Sequence, residues 1–199
     1  MLCGVVADSS FDVLVIGSGA SGLAAAVSAV RAGARVGLAT KGSLPSCNSA
    51  KAQGGIQAAF GDDDSPEQHA EDVWKSSHET ADRELVEILT SEAPDAIHWL
   101  EELGVEFTRE NGGYRLARCG GATRKRLLQV GDRTGHAITA ALRDAVEASI
   151  IRTFPKSPLA ELARAGTLSG HGGCEAGGAA ADHEHVEGHG RSHGAAHPT

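Results

Sequence analysis

The stretch that decides the fold lies near the N-terminus: Phe11-Asp-Val-Leu-Val-Ile16, followed by Gly17-Ser-Gly-Ala-Ser-Gly22. Its first half is a short apolar run, rich in β-branched residues and ended by glycine, which predicts a fully buried strand. The alanine-rich segment from Ala20 to Ala32 then carries its larger apolar residues on one helical face. A second strand is predicted at Arg35–Ala39. These elements form a βαβ unit of about thirty residues, which predicts two parallel strands.

The glycine-rich turn between this strand and helix fits the pattern GxGxxG, with Gly17, Gly19 and Gly22 as its glycines. Gly17 allows the tight turn, Gly19 lets the backbone approach a pyrophosphate, and Gly22 lets the helix pack closely on the strand. Phosphates are held at such a turn by the backbone N–H groups of the helix start. The alternative is a glycine-rich turn without a ligand, and the position between strand and helix favours dinucleotide binding.

The end of the second strand differs from that of a typical NAD site. A carboxylate for the adenosine ribose is expected there, about 20 residues after the glycine turn. The sequence has Thr40-Lys41 instead, and no acidic residue occurs between Asp12 and Asp62. Lys41 suits either the 2′-phosphate of NADP or the adenosine end of a flavin dinucleotide. The residues alone therefore leave an NADP-binding module and a flavin-binding module open.

Further helices and short strands are predicted up to Phe154, which gives an α/β fold with a Rossmann-like parallel core and additional helices. They comprise a helix beginning at Ser65-Pro66, a helical region from Arg83 to Leu103 that Pro94 splits, short strands at 105–107 and 114–116, a helix over 135–148 and a strand over 150–154. Among their polar residues, His69 and His78 are expected to be solvated, and Asp132 is expected to cap the helix that follows it.

The composition excludes several classes of partner. The chain has 199 residues and a formal net charge of -8, and only 4% of its residues are aromatic, which argues against nucleic-acid binding. No stretch approaches the roughly 18–20 apolar residues of a membrane span. The cysteines form no CxxC pair, which argues against a disulfide framework or a zinc site and indicates a reducing, cytoplasmic location. They are Cys3, Cys47, Cys119 and Cys174.

The composition changes after Phe154. Residues 166–199 contain six of the ten histidines and nine of the 26 glycines, without a periodic apolar face. We therefore expect a folded domain over residues 1–154 and a disordered, low-complexity tail over 155–199. An alternative function is metal binding or protein interaction through the tail, since imidazoles such as those of His183 and His185 suit zinc or nickel. The tail offers no scaffold to fix such ligands, so we assign no metal site.

A second motif follows the second predicted strand and reads Asn48-Ser-Ala-Lys-Ala-Gln-Gly-Gly-Ile56. It closely resembles the S-x-x-A-Q-G-G-I segment of the succinate dehydrogenase, fumarate reductase and L-aspartate oxidase flavoproteins, in which this segment wraps the FAD. Further along, Arg118–Arg126 resembles the R-x-G-G-x-S-x-x-R stretch of that family, and Gly131–Gly135 resembles its D-x-T-G stretch. The three motifs occur in the family's order, and the resemblance covers about residues 11–150.

The resemblance implies the N-terminal, FAD-binding region of an oxidoreductase that moves a hydride between FAD and a dicarboxylate or amino-acid substrate. In the family, the catalytic arginine and most substrate-binding residues belong to a capping domain. No such domain is recognisable after Phe154, so we expect an incomplete chain that is inactive alone, and we assign no catalytic residue. Electron-transfer subunits are candidate partners, as in the members that reduce quinone. The implied cofactor-binding residues are Gly17, Ser18, Gly19, Ala20, Ser21, Gly22, Thr40, Lys41, Asn48, Ser49, Ala52, Gln53, Gly54 and Gly55.

Two positions depart from branches of the family. Asn48 stands where succinate dehydrogenases carry the histidine that links covalently to the flavin. Because an amide nitrogen is no nucleophile at neutral pH, the FAD is expected to be non-covalent. Cys119 stands where aspartate oxidases usually have a glutamate suited to a substrate amine, which leaves the substrate open. Gly54 and Gly55 are expected to let backbone amides approach the flavin ring and stabilise its reduced, anionic form.

Overall fold

The computed structural model describes residues 10–157. The histidine-rich segment, and with it most of the predicted tail, lies outside these residues. The elements in chain order are β1 (Val13–Ile16), α1 (Ala20–Arg31), β2 (Val36–Ala39), a 3-10 turn (Ser49–Lys51), β3 (Ile56–Gln57), α2 (Pro66–Ser76), α3 (Arg83–Glu102), β4 (Arg109–Glu110), β5 (Gly113–Tyr114), β6 (Leu127–Leu128), α4 (Thr134–Glu147) and β7 (Arg152–Phe154).

The main sheet has three parallel strands in the order β1-β2-β7. Val13 of β1 pairs with Val36 of β2, and Gly37 of β2 pairs with Arg152 of β7. The helix α1 connects β1 to β2, and Gly33 follows it with φ +87°, the left-handed conformation that commonly ends a helix. The predicted α/β fold with a parallel, Rossmann-like core is thereby confirmed. No helix within residues 10–157 is long and apolar enough to cross a membrane.

The first strand is less buried than its sequence predicts. Leu14 is 47% exposed and Ile16 is 55% exposed, whereas every residue of β2 is buried. The reason is the order of the sheet, because β2 lies between two strands and β1 lies at an edge of the described sheet. The prediction of a fully buried strand at Phe11–Ile16 is therefore wrong for β1 among the described residues.

The hydrophobic core lies between the main sheet and the helices. Leu23 of α1, Leu38 of β2 and Leu142 of α4 are all buried there. From α3 and the segment after it, Ile97 and Phe107 join the same cluster. The core therefore joins α1, α4 and the second half of α3 to the buried residues of β2 in one cluster.

Pro94 lies inside α3 and does not split it, so the prediction of two helices is wrong. A proline in a helix interior removes one backbone hydrogen bond and costs about 3 kcal/mol. Val86 before it and Ile97 after it are both buried, so packing holds the two halves in one helix. The helix α2 begins as predicted, with Pro66 in its first turn and the Ser65 hydroxyl accepting a hydrogen bond from the Gln68 N–H at 3.3 Å.

Two other local predictions need correction. The Asn111-Gly112 turn forms a hairpin with φ values of +52° and +87°, as a type I′ turn requires, but its strands are only β4 and β5. The predicted strand at 105–107 is instead an irregular, partly buried segment. At the start of α4, Arg133 is the N-cap residue and no side chain caps the helix, so the predicted capping role of Asp132 is wrong.

Candidate cofactor site

A cavity of about 440 Å³ opens at the carboxyl ends of β1 and β2. In open α/β sheets, ligands bind outside this edge, where the loops after the strands come together. The cavity joins the glycine turn after β1 to the loop after β2. The residues that line it are Ile16, Gly17, Ser18, Thr40, Lys41, Ser46, Cys47, Asn48 and Ser157.

The glycine turn has the geometry that its sequence predicts. Gly17 has φ +110°, which side-chain-bearing residues rarely adopt, and its N–H donates to the Ala39 carbonyl at 2.7 Å. A Cβ at Gly22 would overlap the Gly17 carbonyl oxygen, so α1 approaches the turn as only glycine permits. This narrow turn at the start of a helix is the kind of cradle that backbone N–H groups form around a pyrophosphate.

Hydroxyl groups connect the turn to its neighbours. The Ser18 and Thr40 hydroxyls are 3.0 Å apart, and both residues are buried. The Ala20 N–H donates to the Ser49 hydroxyl at 3.2 Å. Because the first N–H groups of a helix have no acceptor within it, this bond brings the second motif to the start of α1. Residues that are some thirty positions apart in the sequence thus form one site.

The segment Ala52–Gly55 is exposed and does not line the cavity, although the sequence assigns it to the same cofactor. It leaves the 3-10 turn and packs against α4 and β6. The Gly135 N–H donates to the Ala52 carbonyl at 3.0 Å, and the Thr134 hydroxyl donates to the Gly54 carbonyl at 2.8 Å. A Cβ at Gly55 would overlap the Leu128 carbonyl oxygen, so only glycine fits at this position.

The sequence did not predict four of the residues that line the cavity, one of which is Ile16 at the end of β1. Ser46 and Cys47 lie in the loop between Lys41 and Asn48. Only their place between two predicted site residues could have indicated that they line the cavity. Ser157 comes from the segment after β7, where its N–H donates to the Thr40 carbonyl at 2.9 Å. It reaches the site because β7 pairs with β2, a long-range contact that no local pattern reveals.

The charge of the cavity suits an anion. Lys41 is its one charged lining residue among the described residues, and no carboxylate lines it. The loop after β2 is therefore free of the repulsion that an acidic residue would exert on phosphates. Small hydroxyl and amide side chains supply the other polar groups, and these can donate to phosphate or ribose oxygens.

A buried ionic cluster supports the segment that follows Gly55. We call it the Arg126 cluster, and it consists of Arg126, Asp64 and Asp72. The Arg126 guanidinium donates to both Asp64 oxygens at 2.7 and 2.8 Å and to Asp72 at 2.6 Å. Burial raises the pKa of both carboxyl groups, but hydrogen bonds hold each pKa below its usual range, from Arg126 for Asp64 and from the Thr123 backbone N–H and then Arg126 for Asp72. Since the Arg126 carbonyl accepts from the Ala58 N–H, the cluster anchors the strand pair that starts after Gly55.

His69 lies beside this cluster and is only 4% exposed, so the expectation of a solvated side chain is wrong. Its Nδ1 has no hydrogen-bond partner among the described residues. Burial and then the positive charge of Arg126 lower the pKa of the imidazole. The buried face of α2 contains His69, Ala70 and Asp72, which is too polar a face for hydrophobic periodicity to reveal. His78, by contrast, is exposed as predicted.

Comparison with known proteins identifies the family. Residues 12–193 match the family model described as FAD binding domain. The chain belongs to this FAD-binding family. Its cofactor is FAD, and the glycine cradle and uncharged hydroxyl groups beside Lys41 fit that molecule. The expected relation to succinate dehydrogenases, fumarate reductases and L-aspartate oxidases is confirmed.

Individual relatives of this FAD-binding chain come from several organisms. The L-aspartate oxidase of Streptomyces coelicolor is 40% identical over 153 residues, covering 76% of this chain and 26% of that protein. One subunit of the fumarate reductase (CoM/CoB) of Methanothermobacter marburgensis is 38% identical over 156 residues, covering 76% and 28%. The structure of Mycobacterium smegmatis Sdh1 in complex with UQ1 matches with a TM-score of 0.72 and 32% identity, covering 74% and 28%. The chain thus spans about a quarter of the length of these relatives.

Proposed function

We propose that residues 1–154 form the cofactor-holding, N-terminal part of an FAD-dependent oxidoreductase. Bound FAD would supply the hydride-transfer chemistry. The residues of this chain bind and orient the cofactor. One observation carries the proposal: the glycine turn, the loop from Lys41 to Asn48 and the 3-10 turn at Ser49 meet at the carboxyl ends of β1 and β2.

Each part of the site has a proposed share in holding FAD. The turn from Gly17 to Gly22 binds the pyrophosphate through backbone N–H groups. Thr40 and Lys41, at the end of β2, bind the adenosine side of the molecule. The exposed segment Ala52–Gly55 faces the flavin ring, and Asn48 leaves the cofactor non-covalent. The position of Ser49 supports this arrangement. Its hydroxyl accepts from the N–H of Ala20 at the start of α1, and the chain continues from its 3-10 turn to Gly54.

The proposed substrate is a dicarboxylate or a dicarboxylic amino acid. The relatives are named for aspartate and for fumarate, which are both four-carbon dicarboxylates. Because this chain spans about a quarter of their length, the substrate residues belong to the rest of such a protein. Electron-transfer partner subunits and a cytoplasmic location belong to the same proposal. The location is supported by the scattered cysteines, of which Cys47 and Cys119 are free thiols.

Thermal unfolding with two ligands tests the cofactor assignment. A ligand that binds only the native state raises the unfolding temperature with its concentration. We expect FAD to raise the midpoint of the purified chain and NADP at equal concentration to leave it unchanged. A shift with NADP alone would support the alternative NADP-binding module. Absence of any shift with FAD would contradict the proposal. Lys41→Ala serves as a second variant, for which we expect a smaller FAD shift.

A further inference from the structure

The Thr134 hydroxyl occupies a buried position between two backbone groups. Thr134 is 2% exposed, and its Oγ1 lies 2.8 Å from the Gly54 carbonyl oxygen and 3.0 Å from the Val130 nitrogen. A carbonyl only accepts and a backbone N–H only donates, so the hydroxyl donates to Gly54 and accepts from Val130. The hydroxyl therefore uses its hydrogen and one of its lone pairs in hydrogen bonds, and these two bonds fix its orientation.

This bond sets the direction of the peptide between Gly54 and Gly55. The described residues contain no cis peptide bond, so the Gly54 carbonyl and the Gly55 N–H point in opposite directions within the peptide plane. With the carbonyl directed at the buried Thr134, the Gly55 N–H is directed to the exposed side of the segment. Among the hydrogen bonds of residues 10–157, none uses that N–H.

The two glycines alone would not select this direction. A Cβ built at Gly54 would meet no atom within 4 Å, so no close neighbour packs against that side of Gly54. Glycine also adopts more backbone conformations than other residues, which makes rotation of a Gly-Gly peptide easy. A hydrogen bond to the Gly54 carbonyl from outside the segment therefore favours one orientation of this peptide.

The support beneath Thr134 is rigid. Thr134 is the first residue of α4, and the next residue, Gly135, donates its N–H to the Ala52 carbonyl at 3.0 Å. A Cβ at Gly135 would overlap the Ser49 carbonyl oxygen, so the helix start packs directly on the 3-10 turn. The hydroxyl thus acts from a helix whose other side is packed in the core through Leu142 and Val146.

We propose that Thr134 is a positioning residue that holds the Gly54–Gly55 peptide with the Gly55 N–H facing the flavin ring. A backbone N–H aimed at the ring stabilises negative charge on the reduced cofactor. This inference rests on the proposed function, because it takes the exposed side of Ala52–Gly55 as the side of the ring. Thr134 itself does not touch the cofactor and acts through the peptide.

The first test needs no cofactor. Thr134→Val removes the hydroxyl at nearly constant shape, Thr134→Ser keeps it, and Thr139→Val is the matched control. Thr139 is also buried on α4, but its hydroxyl donates only to the Gly135 and His136 carbonyls of its own helix. In ¹⁵N relaxation dispersion of the full chain, we expect microsecond–millisecond exchange at Gly54 and Gly55 in Thr134→Val alone. Wild-type behaviour of both amides in Thr134→Val would overturn the inference.

The second test measures the reduction potential of bound FAD, which does not depend on how much of the variant is folded. We expect Thr134→Val to lose about tenfold of its preference for reduced over oxidised FAD, which is about 30 mV for a two-electron couple. Thr134→Ser and Thr139→Val should keep the wild-type potential. An unchanged potential in Thr134→Val would contradict the role toward the ring. Failure of the wild-type chain to bind FAD would instead contradict the proposed function, and the relaxation experiment would still decide the orientation of the peptide.

Discussion

The cofactor cavity and the Arg126 cluster are built on opposite principles. The cavity is lined by backbone groups, glycine and small polar side chains, with Lys41 as its one charge among the described lining residues. The cluster consists of three full charges withdrawn from water, and the Arg126 and Asp64 side chains are completely buried. The cavity leaves hydrogen-bond donors free for a ligand, whereas the Arg126 donors of the cluster are directed to the Asp64 and Asp72 carboxylates.

This difference reflects what each region has to do. A phosphate group is bound by N–H donors that are already in place, so the cavity requires backbone positions that only glycine permits. The strands β3 and β6 pair over only two residues each, which is too short a ladder to be stable by itself. Charged hydrogen bonds from Arg126 to Asp64 and Asp72 hold that short pair in place.

The largest expected effect comes from breaking the cluster. Arg126→Met leaves two buried carboxylates without their partner, and loss of one member of a buried ion pair costs about 3–5 kcal/mol. Chemical denaturation should show this loss as a decrease in the free energy of unfolding. Arg124→Met is the matched control, because the Arg124–Asp63 pair lies at the surface, where such pairs contribute about 0–1 kcal/mol. Equal costs for the two variants would refute a structural role for the cluster.

The next effect concerns the cavity. Gly22→Ala places a Cβ on the Gly17 carbonyl oxygen, and forced overpacking of this kind costs about 1–3 kcal/mol. Because the collision displaces the phosphate cradle itself, FAD affinity should fall by about tenfold or more, which corresponds to about 1.4 kcal/mol. Gly54→Ala is the control for stability, since a Cβ there meets nothing within 4 Å. A Gly22→Ala chain with wild-type FAD affinity would show that the turn does not bind the cofactor.

The two regions also differ in how far the sequence reveals them. The glycine turn and the place of Lys41 after β2 were predictable, because local backbone geometry imposes a spacing that can be recognised. The Arg126 cluster was not, since its members are 54 and 62 residues apart and the pairing depends on tertiary contacts. The same limit produced the error at His69, which is buried by that cluster. At Pro94 the local sequence was misleading, because proline predicts a helix break and tertiary packing keeps α3 continuous.

A smaller effect tests the link between the two motifs. Ser49→Ala removes the acceptor of the Ala20 N–H at the start of α1, and loss of one capping hydrogen bond costs about 1 kcal/mol. Urea denaturation should detect this change in the free energy of unfolding. Ser28→Ala on the exposed side of α1 is the control and should change stability by about 0.5 kcal/mol at most. If Ser49→Ala behaves like Ser28→Ala, the hydroxyl does not hold the motifs together.

The smallest effect depends on pH. The pKa of His69 is lowered in the folded chain, so the unfolded chain binds the proton more readily. Its contribution to stability is complete above the ordinary histidine pKa of 6.5 and is lost as the pH falls through that value. The lowered pKa values of Asp64 and Asp72 act only at lower pH, as it falls through 3.8 and below. His69→Gln should therefore flatten the stability profile between about pH 7.5 and 5.

The exposed His78 provides the control for that profile. His78→Gln should leave the loss of stability over the same pH range unchanged, because that side chain is not packed against the cluster. Denaturation midpoints at several pH values measure both variants under the same conditions. A wild-type slope in His69→Gln would show that other groups cause the acid sensitivity.

The most direct test of the central claim is an absorption spectrum of the purified chain, reconstituted with FAD and freed of excess cofactor. Flavin bands between about 300 and 550 nm should be present in the native protein, as a bound cofactor is expected to show. Denaturation should release them completely into the soluble fraction, because Asn48 offers no covalent link. Flavin that remains with the denatured protein would contradict the non-covalent site. Absence of flavin from the native chain would contradict the claim that this cavity holds FAD.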